Sequence, residues 1–277
     1  MRTKYPLLSL IFLISACVSL NKTDLSCNYP TDSLYPGGIL NIKTEKLIVS
    51  VEKSILEKTP VYVCKSRFGN NFLIPIPLEY KKGDVLIPKE LKIPDANRPE
   101  IKDKFYRESR IFIDNQDLVT PSEESLLRIR KEFKILTKAK NLKTSSRLKD
   151  LKMIPPVEGI ISSEFGVKRF INDLPRNRHK GVDYAAEEGT KVIAPLEGRI
   201  IISDNFFYKG NAIYIDHGGG LISSYSHLSD LEVVTGDVLE KGDLLGLVGK
   251  TGRVTGPHLH WEIFIGGVPV NPLIFLK

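Results

Sequence analysis

The chain has 277 residues, of which 42% are hydrophobic and 26% are charged. This ordinary globular composition excludes a wholly disordered chain, a collagen-like chain and a membrane protein with several spans. Forty Lys and Arg against 33 Asp and Glu give a net charge of +7, which suits nucleic acid or any other anionic polymer. The chain has only three Cys and five His, so their positions are informative.

The N-terminal residues have the pattern of a secretory signal peptide. Arg2 and Lys4 precede an uncharged stretch, Tyr5 to Asn21, with an apolar centre. An Ile-Ser-Ala-Cys sequence within it resembles a bacterial lipobox, which predicts removal of residues 1–16 and lipidation of Cys17. An ordinary signal peptide or an uncleaved anchor is the alternative. We therefore expect an exported, periplasm-facing lipoprotein of the bacterial cell envelope. The absence of Asp after Cys17 favours the outer membrane by enterobacterial sorting rules.

The two remaining cysteines form an even pair in an oxidising compartment. A disulfide between Cys27 and Cys64 is therefore a hypothesis, with two separate thiols as the alternative. It would close a loop of moderate length and stabilise the fold by about 3–4 kcal/mol.

Residues 17–33 are polar and are predicted to be a tether, and residues 34–117 are predicted to form a small β-sandwich accessory domain. Apolar residues alternate in places, and glycine-containing turns separate short apolar runs. The alternation involves Leu40, Ile42, Leu47, Val49 and Val51. This region contains no His and only scattered carboxylates, so we expect a spacer or a substrate-facing module.

Residues 118–152 are predicted to be a basic helical connector. Thr120 suits the N-cap, Pro121 the first helical position, and Glu123 the end of a capping box. An apolar stripe follows at Leu126, Ile129, Phe133 and Leu136. Ten Lys and Arg against four Asp and Glu give residues 121–152 a net charge of +6. This is typical of a solvated helix face, and attraction to an anionic wall polymer or lipid head groups is the alternative.

Residues 153–277 are predicted to form an all-β domain that contains all five histidines. Glycine turns separate short strands, and no helix longer than a turn is expected. The predicted strands are Gly198–Ser203, Ala212–Asp216, Leu221–Ser226, Leu244–Val248 and His258–Ile265. The whole chain is therefore predicted to be mainly β, with one connecting α-helix.

Two short motifs in this domain suit a metal site. His179 and Asp183 are spaced H-x-x-x-D, and His258 and His260 are spaced H-x-H. Residues two apart on a strand share a face, so both histidines of the second motif can reach one polar site. A catalytic zinc takes three protein ligands, and three of these four residues would leave the fourth for proton transfer. His227 is a fifth candidate.

Other polar residues near these motifs have weaker interpretations. Glu262 falls on the histidine face of its strand, where it could orient a ligand. His217 precedes three glycines and more often fits a strand-to-turn junction than a metal site. Arg169 and Asn172 belong to a loop before the first motif, where they face substrate or solvent.

Together, residues 154–277 resemble the lysostaphin-type, or LytM-type, zinc endopeptidases of bacterial cell walls. The motifs that carry the resemblance are HKGVDY at 179–184, GTKVIAP at 189–195, YSHL at 225–228 and GPHLHWE at 256–262. Two departures are Lys191, where Pro is common, and Trp261, where Phe is common.

The resemblance implies a duplicated hybrid motif fold, an antiparallel barrel-sandwich, with one Zn²⁺ per chain. It implies that His179, Asp183 and His260 bind the metal and that His227 and His258 are the catalytic pair. The expected reaction is hydrolysis of peptide bonds in peptidoglycan cross-links. The expected partners are peptidoglycan, the membrane through the lipid anchor, and regulatory envelope proteins, but not nucleic acid.

Two alternatives belong to other functional classes. Some relatives that have lost metal ligands activate envelope amidases without hydrolysing anything, but all three ligands are present here. Lipoyl-like carriers and sugar-phosphotransfer proteins also have glycine-punctuated β folds, but a phosphocarrier has no use for the carboxylate of the H-x-x-x-D motif.

Overall fold

The structure is a computed structural model that describes residues 27–28, 30–45, 49–65, 69–82, 84–93, 98–145 and 148–276. The predicted signal peptide, the lipidation site Cys17 and the first part of the predicted tether lie outside the described residues. Among the described helices, none combines the length and the apolar character needed to cross a membrane.

The N-terminal region is a three-stranded antiparallel sheet covered by one helix. Its strands are β1 (Ile39–Thr44), β2 (Tyr62–Lys65) and β3 (Asn70–Pro75), in the order β1-β3-β2, and helix α1 (Val49–Lys58) links the first two. The sheet face that carries Leu40, Ile42, Phe72 and Ile74 packs with Ile55 of the helix. A helix therefore takes the place of the second sheet of the predicted sandwich.

Helix α1 occupies the segment in which the alternation of Val49 and Val51 predicted a strand. The alternation ends there, and the adjacent apolar pair Ile55 and Leu56 packs against the sheet instead. Such a short alternation is weak evidence for a strand. Buried Glu52 in the first helical turn forms an ion pair with Lys65 of β2, in which Oε1 and Nζ are 2.6 Å apart. This contact fixes the helix to the sheet.

The opposite face of this sheet belongs to the main core of the molecule. Ile39, Tyr62 and Leu73 pack in one cluster with residues of the C-terminal domain such as Met153 and Phe275. Cys27 is disulfide-bonded to Cys64 of β2, with a Cα–Cα distance of 6.3 Å. The N-terminal sheet therefore shares its hydrophobic core with the C-terminal domain.

The connector begins before the predicted residue 118 and contains a strand and two helices. They are β4 (Glu108–Ile111), α2 (Gln116–Val119) and α3 (Glu123–Lys140). The expected N-cap at Thr120 is wrong, because Thr120 ends α2 and the Ser122 side chain caps α3 by accepting from the Ser125 amide at 3.3 Å. The capping box predicted with Glu123 is consequently not formed. Phe133 is 66% exposed, so the predicted apolar stripe is only partly covered.

The C-terminal domain is built on a ten-stranded sheet. The short strands are β5 (Ile160–Ser163), β8 (Val182–Ala185), β9 (Lys191–Ile193), β13 (Val238–Leu239) and β16 (Val268–Val270). The longer strands are β10 (Gly198–Phe206), β11 (Gly210–Asp216), β12 (Leu221–Leu231), β14 (Leu244–Val248) and β15 (His258–Ile265). The order is β13-β10-β11-β12-β15-β8-β5, with β14 pairing β12 and β9, and β16 pairing β15. The predicted mainly β class is confirmed, and each of the five predicted strands is present.

Two further strands connect this domain to the connector. Strands β6 (Lys168–Ile171) and β7 (Leu174–Pro175) form a small sheet with β4, in which β4 and β6 are parallel. The chain ends in a 3-10 helix at Pro272–Leu276, which packs into the main core. The connector therefore lies beside the loop that leads to His179.

Candidate metal centre

Strand pairing brings the two motifs together. His260 on β15 lies directly opposite Asp183 on β8, and His179 lies three residues before β8 begins. Gly181 allows this approach, since a Cβ there would lie 2.3 Å from the carbonyl oxygen of Trp261. As the strand alternation predicted, Leu259 and Trp261 point away from the histidines into the core. The ligand atoms of the three residues all lie within 4.8 Å of one another.

The three donor atoms are close neighbours. Asp183 Oδ1 lies 2.9 Å from His179 Nε2 and 2.6 Å from His260 Nδ1, and the two nitrogens are 3.0 Å apart. His179 Nδ1 donates to the Glu164 carbonyl oxygen at 2.7 Å, which leaves a lone pair on Nε2 of the neutral ring. Nε2 of His260 faces Glu262 Oε1 at 3.5 Å, which favours the tautomer with a lone pair on Nδ1.

The electrostatics of this group favour a bound cation. Burial lowers the pKa of His179 to about 4, so its ring stays neutral. Burial opposes ionisation of Asp183, but the adjacent His179 and His260 rings outweigh it and hold the pKa of Asp183 well below its usual range. Burial also opposes a charge on His260, but Glu262 and Asp183 outweigh it and raise the pKa. Asp183 is therefore ionised and His179 neutral, which are the states in which these two groups bind a metal ion, whereas a proton competes for His260.

The donor set fits zinc. Two imidazoles and one carboxylate are typical ligands of a catalytic zinc, which keeps a further position open. Ligand atoms about 2.0 Å from a tetrahedral ion are about 3.3 Å apart. The observed separations of 2.6–3.0 Å require only a small expansion.

The other two histidines of the motifs lie beside this group. The rings of His227 and His258 have centroids 4.8 Å apart, and the ring of His227 lies 6.0 Å from that of His260. Nδ1 of His227 donates to the Thr251 carbonyl and Nδ1 of His258 to the Gly256 carbonyl, both at 2.9 Å. Burial lowers the pKa of each ring, so both present a neutral Nε2 lone pair.

His227 occupies a strained backbone position. Strand β12 pairs with β15 as far as Ser226 and with β14 from Leu228 onward, so His227 lies where the strand changes partner. Its φ of 71° is in the left-handed region, which disfavours side chains other than Gly. Such strain at a polar site is typical of functional residues that the surrounding structure holds in place.

Side chains behind the ligands hold them in position. Arg169 Nη2 donates to Asp183 Oδ2 at 2.5 Å, which places this arginine on a ligand, where the sequence suggested substrate or solvent. Glu262 lies beside His260, as its strand position predicted, and accepts from Lys209 Nζ at 2.5 Å and Ser224 Oγ at 2.7 Å. Nothing in the sequence pointed to Lys209.

His217 and Asn172 make hydrogen bonds that support the fold away from the metal centre. Nδ1 of His217 donates to the Glu197 carbonyl at 2.6 Å, and Nε2 lies 2.8 Å from the Ser223 hydroxyl. This matches the strand-to-turn role expected of His217. The Asn172 amide bridges both backbone groups of Ile113 on the connector, at 2.8 and 3.0 Å.

Comparison with known proteins agrees with the fold. The sequence profile of Peptidase family M23 matches residues 177–272, which include all five residues discussed as ligands or catalytic histidines. The C-terminal domain is therefore an M23 peptidase domain of the LytM/lysostaphin type.

Two curated relatives are named for activity on peptide bonds. The DD-carboxypeptidase/endopeptidase Mpg of Neisseria meningitidis is 43% identical over 119 residues, which is 43% of this chain and 27% of the relative. The peptidoglycan DD-endopeptidase ShyA of Vibrio cholerae is 40% identical over 114 residues, which is 41% of this chain and 26% of the relative. The chain thus spans about a quarter of the length of these relatives.

One solved structure resembles more than the C-terminal domain. A crystal structure from Pseudomonas aeruginosa, described as a peptidase M23, matches with a TM-score of 0.66 and 27% identity. The match covers 88% of this chain and 96% of that chain. The similarity therefore extends into the N-terminal half.

Proposed function

We propose that this protein is a zinc-dependent endopeptidase that hydrolyses peptide bonds in peptidoglycan cross-links. The observation that carries the proposal is the convergence of three metal-donor atoms, from His179, Asp183 and His260, beside two neutral imidazoles. The names of two relatives support the proposal, since both include endopeptidase and that of the Vibrio cholerae relative also includes peptidoglycan.

The metal and the two histidines beside it have different roles in such a reaction. Zinc, when bound, supplies Lewis acidity toward a carbonyl oxygen and toward water. Nε2 of His227 or of His258 accepts a proton from the attacking water and returns it to the leaving amine. The other ring can donate to the developing oxyanion only when its own Nε2 carries a proton. Both rings have the same tautomer, with a lone pair on Nε2, so either can be the base.

The surrounding contacts keep these groups in place during the reaction. Arg169 and Glu262 hold the ligands Asp183 and His260, while carbonyl acceptors orient the rings of His227 and His258. A site held by fixed partners loses less free energy to reorganisation when the substrate reacts. The complete ligand set also argues against a regulator that activates amidases without hydrolysis.

The proposal is tested with residues 18–277, purified with and without a strong chelator. We expect about one zinc per chain, and fragments of purified peptidoglycan cut at a peptide bond, identified by mass spectrometry. Chelation should abolish the fragments and added zinc should restore them. His258→Ala is the matched control, since it leaves the three ligands in place. Bound zinc with intact peptidoglycan and intact cross-linked peptides would favour the regulator.

We also propose that the protein is an envelope lipoprotein anchored through Cys17, with residues 1–16 removed and the peptidase domain facing the periplasm. The support is the lipobox-like sequence alone. Cys17→Ser should release the protein from the membrane fraction. Its persistence there would indicate an uncleaved span, and separation of the two membranes would show which one holds the anchor.

A further inference from the structure

Two partly buried arginines, Arg176 and Arg253, have no acidic side chain within ion-pair distance among the residues that the structure describes. We propose that Arg176 and Arg253 form a binding site for a free carboxylate of the peptide substrate, close to the bond that is cut. This inference rests on the proposed peptidase function and names a determinant of its substrate.

The two arginines lie on the loops that lead into the site. Arg176 is three residues before His179, and its backbone amide donates to the Arg169 carbonyl at 2.9 Å. Arg253 is five residues before His258, and its amide donates to the Tyr208 carbonyl at 2.9 Å. One loop thus leads to the metal ligand His179 and the other to His258, so the two arginines lie on the two chain segments that enter the site.

The two guanidinium groups converge on one place. Arg176 Nη2 donates to the Val119 carbonyl at 2.7 Å, and Arg253 Nη1 donates to the carbonyl of the preceding residue, Leu118, at 3.4 Å. These successive carbonyls end helix α2. Burial and the nearby charges of Arg176 and Arg169 lower the pKa of Arg253, which agrees with this proximity.

The positive charge at this place is not balanced. In the described part of the chain, no carboxylate lies within ion-pair distance of Arg176 or Arg253, whereas Arg169 is paired with Asp183. The Arg176 Nε atom is buried and has no hydrogen-bond partner among the described residues. The contacts of this pair are two neutral carbonyls and the ring of Tyr208, whose centroid lies 4.2 Å from Arg253 Cζ, and they leave donor capacity unused.

A carboxylate is a stronger hydrogen-bond acceptor for the two guanidinium groups than the backbone carbonyls are. Guanidinium groups bind carboxylates through parallel hydrogen bonds, and charge-assisted bonds are roughly twice as strong as neutral ones. A peptide with a free carboxylate next to the scissile bond would replace the Leu118 and Val119 carbonyls. That carboxylate is either the C-terminus of the peptide or an acidic side chain.

The test measures binding to the zinc-loaded protein by calorimetry. The ligands are cross-link peptides with a reduced, non-cleavable bond, prepared as the free acid and with the C-terminal or the side-chain carboxylate converted to a carboxamide. We expect one of the two amides to bind about tenfold more weakly than the acid, which identifies the source of the carboxylate. Arg176→Gln and Arg253→Gln should each weaken the acid about tenfold and leave that amide unchanged.

Arg199→Gln is the matched control, because this exposed arginine of β10 donates only to the Gly236 carbonyl, at 2.6 Å, among its described contacts. This variant should leave the binding of the acid and of both amides unchanged. The inference would be overturned if the acid and the two amides bind equally well, or if none of the three peptides binds. It would also be overturned if the arginine variants weaken the binding of all three peptides equally. Cleavage of peptidoglycan alongside equal binding would overturn this inference alone. Zinc-loaded protein that prefers the acid but leaves peptidoglycan intact would overturn the proposed hydrolysis.

Discussion

Two regions of the C-terminal domain bury histidines in different ways. At the turn after β11, His217 has one nitrogen on the Glu197 carbonyl and the other on the Ser223 hydroxyl. At the metal centre, His179 also uses one nitrogen on a carbonyl, but its other nitrogen faces Asp183 and His260. Burial lowers the pKa of both His179 and His217 to about 4, so burial and pKa do not distinguish the two regions.

The partner of the second nitrogen does distinguish them. A hydroxyl can donate to the lone pair of His217 and complete its hydrogen bonds. The lone pairs at the metal centre face one another and a carboxylate, an arrangement that only a proton or a metal ion satisfies. A structural histidine thus has two hydrogen-bond partners, whereas a ligand has one partner and one open lone pair.

The largest expected difference is in metal binding. His260→Ala should abolish stoichiometric zinc binding, since it removes one of three ligands, while His217→Asn should bind one zinc per chain. Zinc content after dialysis against a weak chelator measures both. Retention of zinc by His260→Ala, with loss of zinc from His258→Ala, would exchange the roles assigned to these residues.

The next effect separates the ligands from the proton-transfer residues. His258→Ala should retain zinc and lower kcat by about 10²–10⁴-fold, the range expected for removal of a general acid or base. Turnover of a cross-linked peptide, measured at equal zinc content, gives the ratio. His217→Asn should leave kcat within a factor of two, and a large loss there would end the distinction between the two regions.

A smaller effect concerns stability and pH. The pKa of folded His217 lies near 4, below about 6.5 in the unfolded chain, so the unfolded state binds more protons between these values. The contribution of this residue is therefore complete above pH 6.5 and is lost as pH falls toward 4. From pH 7.5 to pH 5, the wild type should lose roughly 2 kcal/mol more unfolding free energy than His217→Asn. Urea unfolding at both pH values measures this, and equal losses would contradict it.

The smallest effect tests the support behind a ligand. Glu262→Gln should weaken zinc binding about tenfold, because the amide holds the tautomer of His260 less firmly than the carboxylate does. Competition with a chelator of known affinity measures the change. Ser223→Ala removes the corresponding partner of His217 and should leave zinc affinity unchanged. An equal effect of both variants would indicate a general loss of stability.

Much of the site was predictable because strand alternation and motif spacing are local properties. The alternation over His258–Ile265 separated the core residues from the polar face, and the structure shows that separation. The contacts of Arg169 with Asp183 and of Lys209 with Glu262 were not predictable. They join residues 14 and 53 positions apart, through side chains whose direction depends on the tertiary fold.

The N-terminal half was less predictable for a similar reason. The Val49 and Val51 alternation is too short to outweigh the contact of Ile55 with the sheet, which exists only in the folded protein. The N-cap of α3 is Ser122 and not the predicted Thr120. Asp117 of α2 accepts a hydrogen bond from the Ser122 amide at 2.5 Å and so connects the two helices at this residue. Each departure follows from a neighbour that sequence periodicity does not reveal.

The disulfide between Cys27 and Cys64 has a mechanical consequence. A pull on the N-terminus reaches the described fold at Cys27 and passes through the disulfide into β2, at the edge of the three-stranded sheet. Because Tyr62 and Cys64 of this strand belong to the shared core, the force is spread over both halves of the molecule. Without the disulfide, the same force would act on the hydrogen bonds that Asn28 makes with the backbone of Lys149 and Leu151, which join the N-terminal segment to the connector.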